Sequence, residues 1–161
     1  MPISNVADRP QLMISQKAKY ALRALVALAR DAAPGEAVFI SQIAAEQRIP
    51  KKFLEQILLD LKHHGVVESR RGKDGGYMLL KQPTEITFGE VMRIVDGPLA
   101  PLPCLSRMAY RRCEDCGTEA DCEVRHVFAR VAEATRAVLD GTTIAEAVSR
   151  GGERATRLLA G

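Results

Sequence analysis

Apolar side chains recur at helical spacing through Ile14, Ala18, Ala21, Leu22, Leu25, Leu28 and Ala29, which predicts an amphipathic helix. Lys17, Lys19, Arg23 and Arg30 fall largely off that face, and Pro34-Gly35 stops the helix. Val38, Phe39 and Ile40 read as a short strand, and Ser41 is placed to cap a short helix ending at Gln47. Arg48-Ile49-Pro50 then predicts a tight turn into a second helix, with Pro50 at its first position and Gly65 at its end. Within it Phe53, Leu54, Ile57, Leu58 and Leu61 form an apolar face, leaving Lys51, Lys52, Glu55, Gln56 and Lys62 outward. A short helix, a turn and a second amphipathic helix make a helix-turn-helix, a motif that any small helical bundle could also present.

The segment after Gly65 narrows that choice. Val66 to Arg70 and Tyr77 to Leu80 read as strands flanking Arg71-Gly72-Lys73-Asp74-Gly75-Gly76, a turn whose glycines permit positive φ. A basic hairpin directly after a candidate recognition helix is a wing, and Arg70, Arg71 and Lys73 at its tip suit a minor groove or phosphate. A plain surface hairpin is the alternative.

Pro83 ends the wing. Thr87 and Glu90 predict a capping box, with Ile86 and Val91 as a hydrophobic staple, opening a helix from Phe88 to Val95 that stops at Asp96-Gly97-Pro98. Pro98, Pro101 and Pro103 then exclude continuous helix. From Glu123 to about Leu139, Val124, Val127, Val131, Ala134 and Val138 step by three and four with Phe128 alongside, a heptad-like seam. The seam fits a dimer helix, and packing within its own domain is the alternative. Asp140-Gly141 ends this helix, Thr143 and Glu146 cap a short last one, and a Gly/Arg-rich flexible tail is expected from Gly151. The expected fold class is mainly α with a small β-wing: a winged helix-turn-helix domain plus a long C-terminal dimerisation helix. Its regions are an N-terminal extension (1–12), the winged domain (13–82), a connecting helix and cysteine-rich sensor loop (83–122), the dimerisation and terminal helices (123–150) and the tail (151–161).

Charge assigns the first half a partner. The whole chain of 161 residues carries a formal +3, but Met13 to Lys81 holds 12 Lys and Arg against 7 Asp and Glu, while Gln82 to Asp140 holds 7 against 10. Positive charge on the winged part is what a phosphate backbone attracts. Aromatics make up only 4 % and Trp is absent, which disfavours single-strand binding on stacking platforms. The most apolar run, Ala21 to Ala29, is interrupted by Arg23 and too short to cross a bilayer, and the first twelve residues lack the apolar core of a signal peptide. A cytoplasmic protein without membrane contact is expected.

Cys104, Cys113, Cys116 and Cys122 lie in one segment, spaced C-x8-C-x2-C-x5-C. In a reducing compartment such thiols serve as metal ligands or redox sensors rather than structural disulfides. Soft thiolates suit iron–sulfur clusters and zinc. A structural zinc site usually pairs two close doublets, and only Cys113 and Cys116 make one. That doublet also suits a thiol–disulfide switch. Cys122 stands at the start of the long helix, where dipole and backbone amides favour a thiolate. A thiol oxidoreductase using Cys113-Glu114-Asp115-Cys116 is the enzyme alternative, but no βαβ pattern surrounds the doublet.

Over about Met13 to Val148 the chain resembles the Rrf-two family of IscR/NsrR-like regulators. Met13-Ile14-Ser15 with Tyr20-Ala21-Leu22-Arg23 is similar to the family's usual start, and Phe53-Leu54-Glu55-Gln56 to its recognition helix. Arg71-Gly72 with Gly75-Gly76-Tyr77 is similar to its wing, and Ile86 to Gly97 to its helix ending in Val-Asp-Gly. The resemblance implies a homodimeric regulator, most often a repressor, that reads a near-palindromic double-stranded operator under control of an iron–sulfur cluster (2Fe-2S or 4Fe-4S) or a thiol. It implies Lys52, Glu55 and Gln56 facing the major groove, Glu accepting from a cytosine amino group and Gln pairing with adenine. It also makes Arg71 the wing contact and Ser15, Lys17 and Tyr20 phosphate or packing residues. Cys116-x5-Cys122 agrees with the family's last two cluster cysteines, but the first would fall on Tyr110, and this chain offers Cys113 and Cys104 instead. Where the cluster-biogenesis branch has a His, three residues after the last Cys, this chain has Arg125; His126 lies one residue on, turned about 100° around the helix.

Overall fold

The computed structural model describes residues 14–33 and 35–159, with side chains as far as Gly151. The extension at 1–12, the stop at Pro34 and the last two residues of the tail lie outside the described residues. Ser15 caps α1 (Gln16–Asp31), its hydroxyl accepting the Ala18 N–H at 2.9 Å. The helix buries Ala18, Ala21, Leu22, Leu25 and Leu28, the expected face.

Two expectations at α2 (Ile40–Gln47) fail for one reason. The N–H and C=O of Val38 are both bonded to Tyr77 at 2.8 Å, so the short strand shrinks to this single bridge and the chain turns at once. The helix therefore starts at Ile40 with Phe39 as its N-cap, and Ser41, expected as the cap, lies inside the first turn. Arg48 closes α2 in the left-handed region (φ 51°) and redirects the chain. Pro50 is the N-cap of α3 (Lys51–His63), one residue ahead of its expected place, and Gly65 follows the helix at φ 70°.

Leu54, Ile57, Leu58 and Leu61 of α3 are fully buried, each contributing about 1.5–3 kcal/mol of hydrophobic stabilisation. Phe53 departs from the expected face: it flanks the buried stripe, remains 36 % exposed and meets Tyr20 edge-on, with ring centroids 5.7 Å apart. β1 (Val67–Arg70) and β2 (Gly76–Leu79) form the antiparallel wing, Arg70 opposite Gly76 and Val67 opposite Leu79. Gly76 explains its own motif: at φ 136° it lies so close to Val38 that a Cβ would stand 2.3 Å from the Val38 carbonyl oxygen.

Thr87 caps α4 (Phe88–Asp96) through the Glu90 N–H, and Ile86 and Val91 are both fully buried, as a staple requires. The second half of the expected box is absent, because the Glu90 carboxylate turns to Lys81 at 2.5 Å. A loop comes next, with one 3-10 turn at Pro103–Leu105. Cys122 then caps α5 (Glu123–Gly141). Thr143 and Glu146 make the full reciprocal box, with N–H to carboxylate at 3.0 Å and N–H to hydroxyl at 3.2 Å, opening α6 (Ile144–Leu159). The last helix is longer than expected, running to Leu159. It continues through Gly151 and Gly152, each Gly weakening the helix by about 1 kcal/mol without ending it.

One core joins these parts. Leu25, Leu28, Ile43, Leu54, Ile57, Leu58, Leu61, Val66, Ile86, Val91 and Ile144 are at most 2 % exposed. α6 returns against α1, and the Thr87–Thr143 bridge fastens its start to α4. α5 stays outside: its sole buried residue among those described is Ala132.

Candidate functional site

The residues expected to meet DNA lie on three adjoining elements. Lys52, Glu55 and Gln56 are exposed on α3, Lys51 sits at its first position, and the burial of Leu54, Ile57, Leu58 and Leu61 on the opposite face sets this direction. Gln56 donates to Asp60 at 3.3 Å, a bond weak enough to exchange for a base edge. The wing stands on one flank of α3, tied to it by the Lys62 ammonium on the Ser69 hydroxyl at 2.6 Å. Arg71 and Lys73 at the wing tip are exposed, while Arg70 is partly committed, donating to the Gly35 carbonyl at 3.1 Å.

The α1 residues on the other flank are held more tightly than expected. Lys17 pairs with Asp60 at 2.7 Å, and this hydrogen bond, outweighing the opposing effect of burial, holds the Asp60 carboxyl below its ordinary value. Tyr20 packs on Phe53. Ser15 donates its hydroxyl to Asp96 at 2.5 Å and its backbone N–H to the other carboxylate oxygen at 3.3 Å. The start of α1 is thereby fastened to the end of α4, where the cysteine loop begins. Asp60 and Asp96 escaped the reading of the sequence because their partners lie 43 and 81 residues away.

The loop brings its four cysteines to the lining of one cavity. The Cys113 and Cys122 thiols, in that order, push the Cys116 pKa up to about 12. Cys122 also accepts the Arg125 N–H at 3.4 Å, the acceptor a helix N-terminus requires. Cys104, 8 % exposed in its 3-10 turn, is a wall of the same cavity of about 580 Å³. The loop is braced by the Tyr110 hydroxyl on Glu119 at 2.6 Å, Arg125 on Glu119 at 3.4 Å and Arg112 on the Gly117 carbonyl at 3.1 Å. The Glu119 hydrogen bond also raises the Tyr110 pKa.

All four cysteines are free thiols, and among the described residues no three His, Cys, Asp or Glu side chains are arranged to hold a metal ion. The donor chemistry nonetheless fits an iron–sulfur group, which needs soft thiolates around a space larger than a single ion. Cys113, Cys116 and Cys122 are such donors, and Cys104 borders the cavity.

On the far side of the loop, a groove of about 1200 Å³ runs between α1, α4 and α5. Val131, Ala134 and Val138 of the α5 seam line it. Val124, Val127 and Val138 are 57, 58 and 65 % exposed, so much of the seam is open to solvent, while Val131 is half-buried. Among the described residues no helix is long and apolar enough to cross a membrane.

Comparison with known proteins places this geometry. Residues 14–150 match the family model described as Rrf2, iron-dependent transcriptional regulator. A putative HTH-type transcriptional regulator, rrf2-like, from Rhodobacter capsulatus is 48 % identical over 148 residues, 91 % of this chain and 99 % of that protein. The solved structure of CymR, the global cysteine regulator of B. subtilis, is similar with a TM-score of 0.72 at 31 % identity, covering 87 % of this chain and 98 % of that one. That of IscR from T. potens gives 0.68 at 26 % identity, covering 88 and 90 %.

Proposed function

This chain belongs to the Rrf2 family of winged-helix transcriptional regulators, and from that premise we propose that it binds a near-palindromic operator as a homodimer, with affinity set by the state of its cysteine centre. Lys52, Glu55 and Gln56 enter the major groove, Glu55 accepting from cytosine and Gln56 pairing with adenine. Arg71 and Lys73 of the wing, assisted by Lys51 and Arg70, take phosphate or the minor groove. Lys17 and Tyr20 position α3 from the side. The partly exposed α5 seam supports dimerisation, which sets the spacing of two half-sites.

The observation that carries the sensing part is that Cys104, Cys113, Cys116 and Cys122 line one cavity, with Cys122 at the N-cap of α5, in a loop rooted at Asp96 and hence on Ser15 of α1. Cys113, Cys116 and Cys122, with Cys104 at the cavity wall, would hold an iron–sulfur cluster, whose chemistry when bound is electron exchange and sensitivity to oxidants. The protein's part is to hold the thiols, screen them with Leu102 and Val124, and pass a change in the loop to α1 and α5. Anaerobic purification with visible absorption and iron and sulfide analysis tests the assignment: a coloured protein with stoichiometric iron and sulfide supports it. A colourless, iron-free protein still responsive to peroxide selects a second reading, a Cys113/Cys116 thiol–disulfide switch, which the C-x2-C spacing of two thiols lining one cavity favours.

A further inference from the structure

Asp60 holds two donors on one carboxylate. Lys17 of α1 gives its ammonium to one oxygen at 2.7 Å, and Gln56, one turn earlier on α3, gives its amide nitrogen to the other at 3.3 Å. Gln56 is exposed, whereas the Lys17 and Asp60 side chains are 29 and 27 % exposed where the two helices meet.

The geometry points to Asp60 as a positioning residue for base selection: it sets the direction of the Gln56 amide, so that the oxygen of that side chain is offered to DNA, and it keeps the Lys17 ammonium off the phosphate backbone. The inference rests on the reading of Gln56 as a base contact.

The selection follows from what a carboxylate can do. Ionised, it accepts hydrogen bonds and donates none. The Gln56 amide nitrogen therefore turns to Asp60, and the amide oxygen turns away from it. A reversed amide would set two acceptors face to face, and that cost remains where the 3.3 Å bond stretches as the side chain meets a base. Of the two amide hydrogens, one goes to Asp60 and the other is left for DNA. An oxygen with an adjacent N–H matches adenine, whose N6 amino group donates and whose N7 accepts. Cytosine offers its N4 amino group alone. Guanine, through O6, and thymine, through O4, meet the outward oxygen with an acceptor and are rejected.

Lys17 is the other half of the arrangement. An unpaired carboxylate beside the backbone would repel phosphate, and the ammonium cancels that charge. The same pairing leaves Lys17 without a free charge for phosphate. Selectivity and general affinity are therefore opposed at Asp60, and removing its carboxylate lowers the first while raising the second.

The test compares full-length wild type with Asp60→Asn, Asp60→Ala, Lys17→Met and Gln56→Ala, all in one state of the cysteine centre. Each is titrated by fluorescence anisotropy against an operator selected from random DNA, against every single-base variant of it and against unrelated DNA, over a range of salt. Thermal unfolding checks that each protein is folded. Asn at this position donates or accepts, and Ala does neither, so in both variants the Gln56 amide turns freely.

Both Asp60 variants are expected to lose preference for adenine over guanine, by about fivefold or more, at the position that Gln56→Ala also flattens. Their binding to unrelated DNA is expected to tighten, with a salt slope steeper by about 1 as Lys17 reaches phosphate. Lys17→Met keeps the base preference and weakens binding to all sequences, because Asp60 then stands unpaired. Weaker binding of both Asp60 variants to every sequence at unchanged preference, the pattern of a merely structural residue, would overturn the inference. So would adenine preference retained in both Asp60 variants beside a flattened profile in Gln56→Ala. If Gln56→Ala keeps the wild-type preference at every position, the reading of Gln56 fails and the inference with it.

Discussion

Asp96 and Ser15 stand 81 residues apart and share two hydrogen bonds, hydroxyl to carboxylate at 2.5 Å and backbone N–H to carboxylate at 3.3 Å. Ser15 also caps α1, so the last residue before the cysteine loop holds the first turn of the helix beside α3. Ser15→Ala removes the cap and the shorter of these bonds together. Loss of about 1–2 kcal/mol is expected, seen as a lower denaturant midpoint at unchanged m-value. Asp96→Asn keeps a neutral acceptor for the hydroxyl and is expected to lose less.

The wing depends on a close approach that only glycine permits. Gly76→Ala places a methyl group 2.3 Å from the Val38 carbonyl oxygen at a φ of 136°, so the Val38–Tyr77 bridge must open. A loss of about 1–3 kcal/mol is expected from strain of this kind, along with weaker DNA binding because Arg71 and Lys73 are displaced. Thermal unfolding and a DNA titration on the same sample check both effects.

The two reading elements should fail differently. Arg71→Ala is expected to weaken binding across sequences and lower the salt slope by about 1. Glu55→Ala relaxes preference at one base pair, a discrimination of about 1–3 kcal/mol. Titrations against an operator and single-base variants, at several salt concentrations, separate the two. Equal effects on every sequence from both variants would displace α3 as the reader.

Acid should loosen the contact between α1 and α3. Lys17 holds the Asp60 carboxyl below its ordinary value, so Asp60 keeps its charge in the folded state at a pH where the unfolded chain takes up a proton. The stabilisation is therefore present above the unfolded aspartate value and lost as pH falls through the folded one. Melting temperature against pH should fall more steeply for wild type than for Asp60→Asn in the acid range below the ordinary aspartate value. Parallel curves would mean that the pair contributes nothing to stability.

How much of this was legible in the sequence depends on the range of each interaction. The α3 periodicity, the Thr143–Glu146 box, Gly65 and the wing glycines act within a few residues, and each appears within one or two positions of its expected place. Ser41 failed as a cap because Val38 is committed to Tyr77, nearly forty residues on. Periodicity places Phe53 on the apolar face of α3, because it does not distinguish the flank of a stripe from its centre; its partner Tyr20 lies on another helix. In the cysteine segment, spacing identified the sulfur chemistry, yet it did not show that all four cysteines line one cavity, with Cys104 buried in a turn of its own. Nothing local announced the Tyr110–Glu119–Arg125 bracing or the Asp96 bond to Ser15.

The central claim is that the state of the cysteine centre sets operator affinity. Its most direct test is a fluorescence-anisotropy titration of an operator selected from random DNA, at fixed salt, with one anaerobic preparation before and after the centre is oxidised. The account predicts a change in Kd of about tenfold or more, equivalent to about 1.4 kcal/mol, that disappears when Cys113, Cys116 and Cys122 are all replaced by Ser. Equal affinity before and after oxidation, in a preparation whose centre has demonstrably changed, would contradict it.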